Sequence, residues 1–171
     1  MDKNILFFLG LITVVIVGVS GCVSSTDNNT TNSSNSGSNN YTSQYMEFTL
    51  PGSWVINSTD GGLMNTIYDK SAPENNNNPS IAGSIQVLNS ANGGVNEILQ
   101  DAQTNDSATV SKKTINGNTV YEFNDPTLNS WNAIWPEGSD TGLYLTISST
   151  SNKDNFDTIV NSMTLKNKVP N

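Results

Sequence analysis

The side chains of this chain that could do chemistry are few, and the first is Cys22, its only cysteine. It closes the run Val19-Ser20-Gly21-Cys22 behind an apolar stretch, Ile5 to Val19, of 15 residues. Small residues at a cut followed by a thiol are what a lipoprotein signal peptidase requires, and the thiol then carries lipid as the first residue of the mature chain. A bilayer core takes about 20 apolar residues to span, so the stretch is short for an anchor that stays in place. Lys3 and the amino terminus precede it and keep that end inside, which puts residue 23 onward on the extracytoplasmic face. The expected partner through Cys22 is therefore the cell membrane, reached by lipid.

Beyond Cys22 the chemistry is bounded by what is missing. The sequence has no His, and its seven basic residues are all Lys. Without imidazole, the Ser-His-Asp and Cys-His arrangements and the usual zinc ligands drop out. Without guanidinium there is no bidentate clamp for phosphate or carboxylate. Gly61-Gly62 and Gly93-Gly94 lack the spacing and the Lys of a phosphate-cradling loop. Neither a cofactor nor a metal is expected. The net charge of −8 argues against nucleic acid and against docking on anionic lipid.

Three catalytic or ionic arrangements can still be written down. A Ser/Lys dyad would pair Ser111 with Lys112 or Lys113, but alternation along a strand separates neighbours, and a solvated hairpin face is the preferred reading. A glycan hydrolase needs two carboxylates; Glu97 with Asp101 and Glu137 with Asp140 are the candidates, on a helix face and in a loop. Asn152, Asp154 and Asp157 offer oxygen to calcium, without the Gly and distal Glu of a calcium hand. Solubility explains each of these groups as well as function does.

Aromatic residues point instead to binding. Trp54, behind Pro51-Gly52 at a strand start, is expected in the core. Trp131 and Trp135 share one face of a strand beside the acidic Pro136 to Asp140 loop. Aromatic anchors next to polar groups make contact surfaces, so Trp131, Trp135, Glu137 and Asp140 form the expected partner-binding surface.

The elements that must position these residues follow from pattern. Residues 1–21 read as the signal peptide. Residues 22–44 read as the lipidated Cys and a disordered tether, because 17 of the 22 positions from 23 to 44 are Ser, Thr or Asn, a composition that cannot offset its ordering entropy. Its reach is roughly 25 Å from chain statistics. Asn28, Asn29, Asn32, Asn40, Asn57 and Asn105 each open an Asn-X-Ser/Thr triplet, which an Asn-rich chain also produces by chance. A single domain is expected over residues 45–166, with 167–171 as a C-terminal tail.

Within the domain, Met46, Phe48 and Leu50 alternate, and short strands follow at Trp54 to Ile56, Leu63 to Tyr68 and Ile81 to Val87. Val95, Ile98, Leu99 and Ala102 take helical spacing after Gly93-Gly94. Asn116-Gly117 between two strand patterns supplies the positive-φ pair of a type I′ hairpin. Strands at Trp131 to Trp135 and Leu143 to Ile147 come next. The chain closes with a helix whose stripe is Phe156, Ile159, Val160 and Met163, with Ser151 and Asp154 as a capping box. The order is β-β-β-β-α-β-β-β-β-α.

Phe48-Thr49-Leu50-Pro51-Gly52-Ser53-Trp54, the Ile115-Asn116-Gly117-Asn118 hairpin and the closing Phe156 to Met163 helix resemble landmarks of the PsbP-like family. That resemblance covers most of residues 45–166. It implies an α+β fold, an α/β/α sandwich whose central, mostly antiparallel sheet is flanked by helices, used as a non-enzymatic accessory or interaction module. Imidazole metal sites of relatives have no counterpart in a chain without His. The expectation is thus a lipid-anchored, extracytoplasmic binding or accessory module of an envelope assembly, a monomeric domain whose partner is an envelope protein or a glycan. A small envelope glycan hydrolase and a structural calcium-binding module are the alternatives.

Overall fold

The computed structural model describes residues 39–59, 62–73, 80–105, 108–138, 140–151 and 153–169. Cys22, the signal peptide, most of the tether and Asn152 lie outside the described residues. The strands are β1 (Asn39–Thr42), β2 (Met46–Leu50), β3 (Trp54–Thr59), β4 (Met64–Asp69), β5 (Ser80–Leu88), β6 (Ser111–Ile115), β7 (Asn118–Asp125), β8 (Ser130–Pro136), β9 (Gly142–Ser148) and β10 (Thr164–Leu165). The helices are α1 (Gly94–Thr104), between β5 and β6, and α2 (Lys153–Ser162), between β9 and β10.

Local chemistry accounts for most of these elements. In β2 the side chains of Met46, Phe48 and Leu50 are buried, as period-two alternation requires. Asn116 and Gly117 take φ of 50° and 80°, the two positive values that let the β6–β7 turn follow the strand twist. α1 starts behind Gly93 and buries Val95 and Ala102. The segments that carry the PsbP-like resemblance fall on β2 into β3, on this turn and on α2.

Pairing produces two antiparallel sheets, one of seven strands in the order β3-β4-β5-β9-β8-β7-β6 and one of three in the order β1-β2-β10. Register assigns the faces of the large sheet, because residues directly opposite share a face. Ile56, Ile67, Ile85, Leu145, Ala133 and Trp135 lie on one face. They join Tyr41, Met46, Phe48 and Leu50 of the small sheet and Phe156, Ile159 and Val160 of α2 in the main core. On the opposite face Leu88, Phe123, Ile134 and Tyr144 pack with Val95, Ile98, Leu99 and Ala102 of α1 in a smaller core.

This architecture corrects the expected α/β/α sandwich. The molecule is mostly β, and the layer over the main core is itself a sheet with α2 beside it, while among the described residues α1 covers part of the other face. The reason lies in two short strands. β1 occupies Asn39 to Thr42, inside the segment read as tether, because Tyr41 is a buried anchor among polar neighbours. β10 is only two residues long and pairs with β2. The domain also runs past residue 166: the Val169 side chain is 6% exposed and belongs to the main core.

A buried polar cluster ties the two sheets together. Asn65 on β4 is fully buried. Its Oδ1 accepts from the Tyr41 hydroxyl of β1 at 2.7 Å and from the Ser58 hydroxyl of β3 at 2.6 Å. Its Nδ2 donates to the carbonyls of Gly62 at 3.0 Å and Ile85 at 3.2 Å. Buried amides are tolerated only when satisfied in this way.

Candidate binding surface

The four residues expected to form a partner-binding surface are placed in four different environments. Trp135 on β8 is fully buried in the main core and has no surface to offer. Trp131, four residues earlier on the same face, is half-buried, and its ring lies 6.4 Å from that of Phe156 on α2. Glu137, just past β8, accepts a hydrogen bond from the Val169 backbone N–H at 2.6 Å. The Asp140 carboxylate sits against Gly94 at the start of α1, where a Cβ would meet it; there it faces the positive end of the helix dipole. Gly94 takes φ of 59°, and no side chain would fit that approach.

The paired carboxylates are likewise separated by these duties. The Glu137 carboxylate accepts from the Val169 N–H, while Asp140 meets the α1 start, its backbone carbonyl accepting from the Val95 N–H at 3.3 Å. Asp157 is paired with Lys153 at 2.6 Å. No group of three metal-binding side chains occurs among the described residues. Ser111 and Lys113 do share a face, being two residues apart, and both meet Glu122 across the β6–β7 ladder. Lys113 Nζ lies 2.6 Å from the Glu122 carboxylate, and the Ser111 hydroxyl donates to the Glu122 carbonyl at 3.2 Å. Both are structural contacts of a hairpin.

Two titratable groups show how local surroundings act. Burial pushes the Tyr144 phenol up to about 12, so it stays a donor, to Asn132 Oδ1 at 2.8 Å. Asp69 is partly buried, which raises its carboxyl, but hydrogen bonds from Ser71 and Ser53 outweigh burial and leave it below the ordinary value. Trp54 Nε1 faces the same region without meeting hydrogen-bond geometry, and Trp135 Nε1 also has no partner among the described residues.

A different surface emerges from the register. Among the described residues α1 packs over the β9-β8-β7 part of its face of the large sheet and the Leu88 end of β5. On the β3-β4-β5 side, Val55, Tyr68 and Ile81 lie across neighbouring strands, followed by Asn57, Thr66, Ser84 and Thr146. None of these seven residues is charged, in a chain of net charge −8. Ile81 is 57% and Met64, on the same face, 40% exposed. Sequence reasoning missed this surface because its signal is weak: Val55, Tyr68 and Ile81 look like ordinary strand residues until pairing shows which face lacks a cover among the described residues.

No family model matches the chain, and no curated protein matches it. Among solved structures, a protein of Bacteroides thetaiotaomicron VPI-5482, crystallised and determined at 1.50 Å, is similar to it at a TM-score of 0.36 and 13% identity. The likeness covers 72% of this chain and 46% of that one, so the chain spans about half the length of the protein it matches.

Proposed function

We propose that the chain is a lipid-anchored, extracytoplasmic accessory module that works by contact and not by turnover. The observation that carries this reading is the run Val19-Ser20-Gly21-Cys22 behind an apolar stretch of 15 residues, followed by a Ser/Thr/Asn-rich segment that leads into the folded domain. The uncharged open half of the large sheet supports the contact role. Its hydroxyl and amide side chains beside Tyr68 and Ile81 suit a neutral, hydroxyl-rich envelope glycan better than an ionic partner.

Intact-mass measurement on membrane-extracted protein tests the anchor. Loss of residues 1–21 with a lipid increment on Cys22 is expected; finding residues 1–19 still attached refutes lipidation. Binding to purified envelope glycan, compared between the native chain and Ile81→Lys, tests the contact role. Equal retention of both, or release of sugar from the glycan, refutes it.

A further inference from the structure

We propose that β3 is a self-pairing edge, through which two copies of this chain join their large sheets antiparallel about a two-fold axis at Asn57. The sheet has two edges, and they are treated differently. β6 carries Lys112 and Lys113, the kind of charge that blunts an edge against further pairing. β3, Trp54-Val55-Ile56-Asn57-Ser58-Thr59, carries no charge and no proline. The edge strands of the small sheet, β1 and β10, are four and two residues long, too short to offer much.

The hydrogen-bond pattern of β3 fixes which groups face outward. Lys70 N donates to the Ser53 carbonyl at 3.1 Å, so Ser53 points its backbone polar groups at β4. Successive residues alternate; Val55, Asn57 and Thr59 therefore point inward, and Trp54, Ile56 and Ser58 outward. The outward groups of Trp54 are already used. Its N–H donates to the Pro51 carbonyl at 2.9 Å and its carbonyl accepts from Asn39 Nδ2 at 3.3 Å. The outward N–H and C=O of Ile56 and Ser58 have no partner among the described residues.

Those groups select one register. Directly opposite residues share a face, so the two-fold must pass through a residue and not between two. Centred on Asn57, the axis places Ile56 of each copy opposite Ser58 of the other, and all the unpartnered backbone groups bond. Centred on Ile56, it would call on the occupied groups of Trp54. Centred on Ser58, it would pair Ser58 with its own copy and leave the outward groups of Ile56 beyond reach of the partner's β3. At Asn57 the central side chains are two neutral amides, flanked by Val55 against Thr59, so two chains of net charge −8 meet where neither presents a carboxylate from the paired strands. The interface is isologous and closed, and so makes a dimer rather than a fibre. A two-fold perpendicular to the sheet also leaves both small sheets, and both Asn39 residues, on the same side. Two chains held in one membrane would need that arrangement, although the pairing itself does not rest on the anchor. A dimer replaces the monomeric domain expected from the sequence.

Full-length protein carrying Cys22→Ser, produced without glycosylation because Asn57 heads an Asn-X-Thr triplet, is to be examined in mild detergent by sedimentation and oxidative trapping. In a non-hydrogen-bonded antiparallel pair the Cα atoms are about 4.5 Å apart, inside the range a disulfide spans. Asn57→Cys is therefore expected to form a covalent dimer on oxidation. Thr59→Cys is not, since its two copies would be about 13 Å apart along the strands. Asn57→Lys, at an exposed position, is expected to shift the dimer to monomer without changing the unfolding midpoint. A monomer throughout the micromolar range, a dimer that survives Asn57→Lys, or trapping through Thr59→Cys or Lys112→Cys as readily as through Asn57→Cys would overturn the proposal.

Discussion

Asn65→Ala is the sharpest test of what holds the two sheets in register. The substitution removes one acceptor shared by two hydroxyls, at 2.7 and 2.6 Å, and one donor group shared by two carbonyls, at 3.0 and 3.2 Å. The losses are unequal. Tyr41 and Ser58 are already 2.8 Å apart and can bond each other, so only one hydroxyl proton is stranded. The Ile85 carbonyl keeps its place in the β4–β5 ladder, where it lies opposite Asn65, whereas the Gly62 carbonyl loses this partner. Two buried groups without partners cost about 1–3 kcal/mol each, and the space vacated by the amide adds to that. A loss of roughly 3–5 kcal/mol is expected, a large share of the roughly 5–15 kcal/mol that holds a domain folded. Urea unfolding followed by tryptophan fluorescence reads it directly. Tyr41→Phe alone is expected to cost about 0.5–1.5 kcal/mol, and the double variant less than the sum, because both remove the same contact. Strict additivity, or a loss for Asn65→Ala below about 1 kcal/mol, would refute the view that this cluster docks β1 onto the large sheet.

Four further outcomes follow from the structure. Trp135→Ala is expected to destabilise by about 3–5 kcal/mol in thermal or urea unfolding, since the ring is fully buried; a neutral effect would place it at a surface after all. Gly94→Ala is expected to destabilise measurably, because a Cβ there meets the Asp140 carboxylate at a φ of 59°, and Asp140→Gly should recover part of the loss. Tyr144, whose ordinary value of 10.0 is pushed to about 12 by burial, contributes stability that is full below pH 10 and disappears as the pH rises through about 12, so alkaline unfolding in that window should flatten in Tyr144→Phe. Asp69 acts in the opposite direction: its lowered carboxyl contributes stability above the ordinary carboxylate range that is lost as the pH falls through its folded value, and Ser71→Ala should weaken that acid dependence.

The sequence was legible where one period governs one element. Met46-Phe48-Leu50, the Asn116-Gly117 turn and the Phe156-Ile159-Val160 stripe each contain their own explanation, and all eight strands and both helices read from such patterns occur in the expected order. Layering was not legible, because alternation says that a face is buried without saying by what. Tyr41 is one aromatic residue in a run of Asn, Thr and Ser, and only its contact with Phe48, 5.1 Å between ring centres, and its hydrogen bond to Asn65 make β1 a strand. The same limit explains the tryptophans. Trp131 and Trp135 share a face, and spacing alone does not reveal that α2 and the small sheet lie over it. Nor does the sequence near Glu137 announce that its carboxylate is matched by a backbone N–H 32 residues later.

The three-stranded sheet is assembled from the two ends of the domain. Asn39 to Thr42 and Thr164-Leu165 flank the same strand, with Glu47 opposite both Thr42 and Thr164. Such a clasp closes last. While the chain is being made amino end first, the large sheet can pair from β3 to β9 but has only part of its cover, and Trp54, Ile85, Leu145 and Trp135 remain open to water until α2 and β10 arrive. Contacts of this sequence separation slow the final step, and the exposed face is a target for aggregation or for a chaperone in the interval. The last residues of the domain thus decide when its main core is closed.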